Sequence, residues 1–453
     1  MLGTTVAAVS TPEGLGGIGV IRISGSEAVN IADKVFRSVG GKKLCDISGY
    51  SALFGKVFKQ DEPIDEAVAL LFKAPHSYTG EDVVEISVHG GSFVIKETLS
   101  AIFSAGALPA ERGEFTKRAF LNGKLDLSEA EAVMDIISAE GKQALNAGLK
   151  LKDGALSKQI EVIRGDLLYG ASIISAFSDF PDEEPEFSGI DKLLGLLLVS
   201  ANKIKDLIDS YDTGKIIKDG INTTIVGSPN VGKSTLMNML SGYDRSIVTS
   251  IAGTTRDVIE ETVNVGGVVL HLADTAGLRE TDDTVEKIGV ERTEKSIESA
   301  DLILAVVDGS RRLSSDEKDM LQKLKDKNTL LIINKSDLGT LNMEEIDIDA
   351  PKIVISAMTG NGKSDLEEAI KKAVGLANLS ADATFISNER QKNCLERAYN
   401  YLLEAIDTIN VGMTYDAVGV MLDESLAALL ELTGERVTEE VANEVFSRFC
   451  VGK

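Results

Sequence analysis

Residues 221–240 read INTTIVGSPNVGKSTLMNML. An apolar, β-branched run (Ile221–Val226) meets a glycine-bounded turn, Gly227-Ser-Pro-Asn-Val-Gly232, then Lys233-Ser234 and a helix-forming stretch, Thr235–Leu240. Strand, loop and helix in that order are what a phosphate-binding loop needs. Its glycines let backbone N–H groups wrap phosphates at a helix N-terminus. Asn230, Val231, Gly232, Lys233, Ser234 and Thr235 are the expected nucleotide contacts. Lys233 reaches the β- and γ-phosphates, and the Ser234 hydroxyl is placed to ligate Mg²⁺.

Working outward, three companions follow in the order a nucleotide switch requires. Asp274-Thr275-Ala276-Gly277 closes an apolar strand (Val268–Ala273), so Asp274 can hold Mg²⁺ through water while the Gly277 N–H senses the γ-phosphate. Asn334-Lys335-Ser336-Asp337 follows the apolar run 330–333, and an aspartate there accepts both N–H donors of the guanine edge, which adenine cannot supply. Ser356-Ala357 follows a strand at 352–355 and is expected to offer a backbone N–H to guanine O6. Between the phosphate loop and Asp274 lies Thr249-Ser250-Ile251-Ala252-Gly253-Thr254-Thr255-Arg256-Asp257, where a first switch belongs. One of Thr254 and Thr255 then ligates Mg²⁺ when the γ-phosphate is present. Four ordered motifs imply a GTP-binding module.

Leu278 stands after Gly277, where Ras-like enzymes carry the water-orienting glutamine. A leucine cannot orient water, so hydrolysis needs a polar group from elsewhere. Glu286 and Glu291 in the following segment are the candidates, against the plain alternative of a solvated helix face. The charge that develops between the β- and γ-phosphates also needs an offset. Either an arginine of the switch region (Arg256 or Arg279) supplies it, or a monovalent cation does, held by the Asn230 carbonyl and by backbone carbonyls of the loop Thr249–Thr254.

The flanks read differently. The chain has 453 residues, 43% hydrophobic and 26% charged, which suits a multidomain globular protein of two to four domains. Residues 18–24 (IGVIRIS) and 83–89 (VVEISVH) alternate as strands, and a helix is expected at 92–105, giving an α+β domain over 1–120. From Asp126 the period becomes helical. Ser128 with Glu131 forms a capping-box pattern, followed by the stripe Ala130, Val133, Met134, Ile137. A second stripe runs Ile160, Ile163, Leu167, Ala171, Ile174, Phe177, and a third helix at about 190–211 carries Leu193, Leu197, Ala201, Ile204 and Tyr211. After about Leu376 helical spacing returns with Leu395, Ala398, Leu402, Ile406 and Ile409. Val441, Val445 and Phe449 then mark a last helix. The expected organisation is an N-terminal α+β domain (1–120), a discontinuous helical domain (121–217 and 379–453) and an inserted Ras-like P-loop α/β domain (218–378).

Composition excludes several classes. A formal charge of −24, from 47 basic and 71 acidic residues, argues against gripping nucleic acid or anionic membrane by bulk charge. With no Trp and 5% aromatics, base-stacking platforms do not dominate any surface. Cys45, Cys394 and Cys450 form no CxxC pair, which excludes a zinc ribbon or disulfide framework. No apolar run approaches a membrane span, and the N-terminus lacks signal-peptide character, so a reducing cytosol is the expected compartment. Gly14-Leu-Gly-Gly-Ile-Gly19 matches GxGxxG but leads into a strand, not a helix, so it reads as a turn between strands. His89 before Gly90-Gly91 reads as a turn histidine. Cys450 is either a buried small side chain or an exposed thiol.

Together these residues resemble the MnmE (TrmE) family of tRNA-modifying GTPases over essentially the whole chain. Beyond the GTP-binding module the resemblance rests on GIGVIRISG (17–25), YTGEDVVE (78–85), GEFTKRAFLNGK (113–124), DFPDEE (179–184) and the terminal FCVGK (449–453). Arg112 stands for a usual proline and Val451 for a usual isoleucine.

The resemblance implies a folate-binding N-terminal domain that dimerises, with Arg22, Glu85, Lys124 and Lys453 on the site of a 5-formyltetrahydrofolate-like donor. It assigns water orientation to Glu286 and a catalytic part to Cys450. It favours K⁺, held by Asn230, Thr249, Ile251 and Thr254, over an arginine finger, and places Mg²⁺ on Ser234 and Thr255. Its implied partners are tRNA and an MnmG-type FAD protein forming a heterotetramer, which together add an aminomethyl or carboxymethylaminomethyl group to C5 of the wobble uridine (U34). Two other functions compete. One is a ribosome-associated GTPase switch, which would need a basic appendage that the acidic segment 379–453 does not supply. The other is a folate-dependent aminomethyl transferase with a regulatory GTPase domain, acting without tRNA.

Overall fold

The computed structural model describes residues 3–453 apart from Glu13 and the stretches 180–186, 243–260, 274–294, 340–348 and 378–382. The chain divides into two compact units. One comprises 1–134, 152–197 and 400–453, the other 135–151 and 198–399.

In the first unit, β1 (Val6–Val9), β2 (Ile18–Ser24), β3 (Phe36–Ser38), β4 (Ser51–Lys59), β5 (Glu62–Phe72), β6 (Val83–His89) and β7 (Leu108–Pro109) form one sheet in the order β3-β4-β5-β6-β2-β1-β7. The expected alternation of residues 18–24 and 83–89 holds, because β2 and β6 are antiparallel neighbours with Arg22 opposite Glu85. Inward residues Ile21, Ile23, Val84 and Ile86 share a core with α1 (Ala28–Val35) and α2 (Ser92–Ser104). Gly14, Gly16 and Gly17 lie in the loop between β1 and β2 and Gly19 is within β2, so the GxGxxG stretch leads into a strand and not a helix.

The helices α3 (Glu114–Leu121), α4 (Leu127–Ser138), α5 (Lys142–Lys152), α6 (Ala155–Asp179), α7 (Phe187–Asp209) and α8 (Tyr211–Asp219) follow. The cap of α4 differs from the expected one. Asp126, not Ser128, accepts the Glu129 N–H at 2.8 Å, and the Glu129 carboxylate accepts the Asp126 N–H at 2.9 Å. A carboxylate outcompetes a hydroxyl at a positive helix end, and Asp126 also accepts from Ser128 and Ser157. Ile137, expected on the inward stripe, is 45% exposed. The expected helix at 190–211 is two helices, with Tyr211 opening the second. Its inward set Leu193, Leu197, Ala201 and Ile204 is buried as its spacing predicts.

The second unit holds β8 (Ile221–Val226), α9 (Lys233–Ser241), β9 (Glu261–Val265), β10 (Val268–Leu272), β11 (Leu302–Asp308), α10 (Ser315–Lys323), β12 (Thr329–Asn334), β13 (Lys352–Val354) and α11 (Lys363–Ala373). Its sheet runs β13-β12-β11-β8-β10-β9, parallel except for the β9–β10 pair. β11 and β12 are buried throughout, as continuous apolar runs in a two-sided parallel sheet must be. Near the C-terminus come α12 (Glu389–Asn410), α13 (Tyr415–Thr433) and α14 (Glu439–Ser447). Phe449 lies past the end of α14, and it is buried with Leu127, Val133 and Phe446. The N-terminal α+β domain, the helical segments and the P-loop α/β module make up the fold class read from the sequence. No described helix is long and apolar enough to cross a membrane.

Candidate functional site

The phosphate loop sits between β8 and α9. Asn230 and Gly232 both have positive φ, 64° and 98°, which curls the loop so that α9 starts at Lys233. A Cβ on Gly232 would lie 2.2 Å from the Asn334 amide nitrogen, so only glycine fits. The Lys233 ammonium donates to the carbonyls of Gly227 (2.7 Å) and Ser228 (2.8 Å), and burial holds its pKa below the usual lysine value. Ser234 and Thr235 are exposed at the helix N-terminus, where a hydroxyl can meet a hard cation. Ser234 therefore fits the Mg²⁺ assignment.

Asn334 is the joint of the site. Buried at the end of β12, it donates from Nδ2 to the Val231 carbonyl (2.9 Å) and accepts the Ala357 N–H on Oδ1 (2.9 Å). One side chain thus ties the phosphate loop to the loop after β13. Asp337 accepts from the Ser356 hydroxyl at 2.6 Å, which orients its carboxylate. The N–H of Ser356 donates to the Asn361 carbonyl at 3.0 Å, and that of Ala357 is held by Asn334. A donation from either to guanine O6 therefore has to be shared with a protein acceptor, a constraint the sequence did not reveal.

Several expected residues lie outside the described ones: Thr249 to Arg256 of the first switch, Asp274, Thr275, Ala276, Gly277, Leu278 and Arg279 of the second, and Glu286 and Glu291. Asn230 is exposed in the loop.

In the other unit, the terminal residues are built into the α+β domain. Val451 pairs with Arg112 as an antiparallel bridge, the Phe115 N–H donates to the Lys453 carbonyl (3.1 Å), and the Gly452 carbonyl accepts from Ser10 Oγ (3.1 Å). Arg22 forms an ion pair with Glu85 at 2.8 Å and lies over the rings of Tyr78 and Phe115, each 5.4 Å to the centroid. Half-buried Lys453 joins them. Burial lowers its pKa, Arg22 lowers it further, and Glu85 opposes both. Arg22, Glu85 and Lys453 are brought together as expected, an assembly of both charges against aromatic rings that fits a flat, polar heterocycle with an anionic tail. Lys124 is exposed and donates to the Pro75 carbonyl (3.2 Å). Cys450 is an exposed thiol.

Sequence reading missed two groups. Asp308 binds the Lys335 ammonium at 2.7 Å. Arg118, 3% exposed, is clamped by Glu114 (3.0 Å), Glu81 (2.9 Å) and the Thr4 carbonyl (2.7 Å). A strongly basic residue amid GEFTKRAF (113–120) was the only available signal for Arg118.

A P-loop followed by the Asn334–Asp337 base-recognition motif, on a mainly parallel sheet, defines a GTPase of Ras-like architecture joined to an α+β domain and helical segments. Residues 5–124 match the family model described as GTP-binding protein TrmE N-terminus, and residues 127–450 match the MnmE helical domain. The chain belongs to the MnmE family. It is 43% identical over 459 residues to the tRNA modification GTPase MnmE of Alkaliphilus metalliredigens, covering 100% of both chains. It is also 40% identical to that of Heliobacterium modesticaldum (100% of both) and 41% to that of Clostridioides difficile (99% of both).

Proposed function

We propose that this GTPase acts in tRNA modification, binding GTP through Asn230–Thr235, Thr249–Thr255, Asp274–Gly277, Asn334, Lys335, Asp337, Ser356 and Ala357. The observation that carries the nucleotide reading is Asn334, whose amide joins the phosphate loop to the base-recognition loop. Mg²⁺ on Ser234 and Thr255 would neutralise phosphate charge, K⁺ on Asn230, Thr249, Ile251 and Thr254 would offset charge developing between the phosphates, and Glu286 would orient water. Domain limits of 1–120, 121–217, 218–378 and 379–453 accompany this reading.

The second unit of the proposal is a folate site. Arg22, Glu85 and Lys453, with Lys124 at its margin, would hold a tetrahydrofolate, which supplies a one-carbon unit when bound. The cluster around Arg22 supports this, and Cys450 would act beside it as a catalytic thiol. With an MnmG-type FAD protein, a homodimer built through the N-terminal domain would add an aminomethyl or carboxymethylaminomethyl group at C5 of U34 in cytoplasmic tRNA. Mass spectrometry of wobble nucleosides from cells lacking this protein tests the proposal. Loss of the C5 substituent is expected, and an unaltered nucleoside profile would overturn it.

A further inference from the structure

The helix that brings Phe115 to Arg22 also carries Arg118, and that charge is spent inside the protein. Nε donates to Glu114 Oε1 (3.0 Å), Nη1 to the Thr4 carbonyl (2.7 Å) and to Glu81 Oε2 (2.9 Å), and Nη2 to Thr4 Oγ1 (3.3 Å). With all three nitrogens engaged and the residue buried, Arg118 does not reach a ligand. What it holds is the segment between β5 and β6 that bears Tyr78. Glu81 also accepts the Ser24 hydroxyl (2.8 Å), and Ser24 hydrogen-bonds Thr79 Oγ1 (2.8 Å). Two further groups reach the same segment from α3 and its end. Thr116 hydrogen-bonds the Tyr78 hydroxyl (2.9 Å), and Asn122 donates to the Thr79 carbonyl (2.7 Å). Gly80 turns the chain there with φ 78°, and a Cβ on it would lie 3.1 Å from Asn122 Cβ, so the segment lies directly against the end of α3.

We propose that Arg118 is a positioning residue for the folate site, locking α3 to the segment Tyr78–Glu81 so that the rings of Tyr78 and Phe115 stay over Arg22. Both rings stand 5.4 Å from the Arg22 guanidinium carbon, and one comes from each of the two parts that Arg118 joins. Without the joint each part shifts independently, and Arg22 loses the aromatic faces that favour its cation in one place. Only a guanidinium suits the joint, because its planar fork meets a helix carboxylate, a loop carboxylate and a backbone carbonyl at once, whereas a lysine ammonium is a point charge on a flexible stem. The inference rests on the folate reading of Arg22, Glu85 and Lys453.

The test uses the full chain, calorimetry with 5-formyltetrahydrofolate as the probe, and the NMR resonance of the Arg22 Nε–H in the chain without ligand. Arg118→Lys keeps the charge and loses the fork. It is expected to weaken 5-formyltetrahydrofolate binding about tenfold, the scale of one lost bond to a charged group, with GTP turnover unchanged. The Arg22 resonance, assigned by its loss in Arg22→Lys, should move in Arg118→Lys because the two ring currents acting on it change. A role confined to stability would leave that resonance in place below the melting transition. Ser24→Ala removes one tie of Glu81 without unpairing a buried charge, so it keeps the test decisive where Arg118→Lys does not fold. It should move the same resonance and weaken binding about threefold, the scale of one neutral hydrogen bond. In a Tyr78→Leu background Arg118→Lys should cost less than it does alone, since one ring is already gone. Native affinity, an unmoved resonance or additive losses would each overturn the clamp. A native chain that binds no 5-formyltetrahydrofolate would instead overturn the folate reading, and the resonance would still decide the clamp.

Discussion

Asp337 accepts the Ser356 hydroxyl, which sets its carboxylate in one orientation. In Asp337→Asn an amide donor would face the guanine donors, a mismatch worth on the order of 10⁴ in discrimination. GTP affinity should collapse and xanthine nucleotide binding should appear by calorimetry; unchanged GTP affinity would mean the pocket is elsewhere. A second residue-scale prediction concerns His89. Its Nδ1 lies 2.8 Å from Asp65, whose bond and charge raise the imidazole pKa. Burial alone would raise Asp65, but the His89 N–H and ring hold it below the usual carboxylate value. His89 therefore contributes stability in full below about pH 6.5 and loses it as pH rises through its raised value. Asp65 contributes above about pH 3.9 and loses it as pH falls through its lowered value. NMR titration should give an imidazole midpoint above 6.5 that returns to about 6.5 in Asp65→Asn. An unshifted native midpoint would refute the pair.

At the scale of elements, the terminal strand-like segment is held by backbone and by the absence of one side chain. Gly452 has φ 94°, and a Cβ there would lie 2.0 Å from the Val9 carbonyl oxygen and 2.9 Å from Ser10 Cα. Backbone atoms of β1 cannot move aside cheaply, so Gly452→Ala should displace the segment, taking Lys453 from Arg22 and Glu85. The expected outcome is weakened tetrahydrofolate binding by the full chain with GTP hydrolysis retained, because the two clusters lie in different compact units. Equal loss of both activities would show a folding defect instead. The α4 cap is a related case. The sequence pattern pointed to Ser128 with Glu131, whereas Asp126 and Glu129 close the box, and Asp126 also accepts from Ser157, thirty-one positions away.

For the whole molecule, GTP turnover should depend on K⁺. Leu278 cannot orient water and Asn230 presents a neutral carbonyl from an exposed position in the phosphate loop. Hydrolysis measured in KCl should exceed that in NaCl, Asn230→Ala should lose the stimulation while still binding nucleotide, and Arg279→Ala should be mild. Equal rates in both salts, with activity lost in Arg279→Ala, would favour an arginine finger. The net charge of −24 bears on the same scale, since tRNA has to be engaged through local contacts or a partner and not through a general basic surface.

The motifs at 227–234, 334–337 and 356–357 were legible in the sequence because each lies at a strand end, where a short local pattern already dictates the turn and the atoms it presents. The alternating strands of the N-terminal domain and the apolar stripes of the helices were legible for the same reason, since their periods are local. Tertiary structure alone decided the pairings made across long separations. Lys335 meets Asp308 because β11 and β12 are neighbours in register. Ser10 meets the Gly452 carbonyl across 442 positions, and Arg118 finds Thr4 and Glu81 in a buried pocket. A charged residue's partner is set by which strands lie side by side and by what burial leaves unsatisfied, and neither quantity is written in the residues adjacent to it.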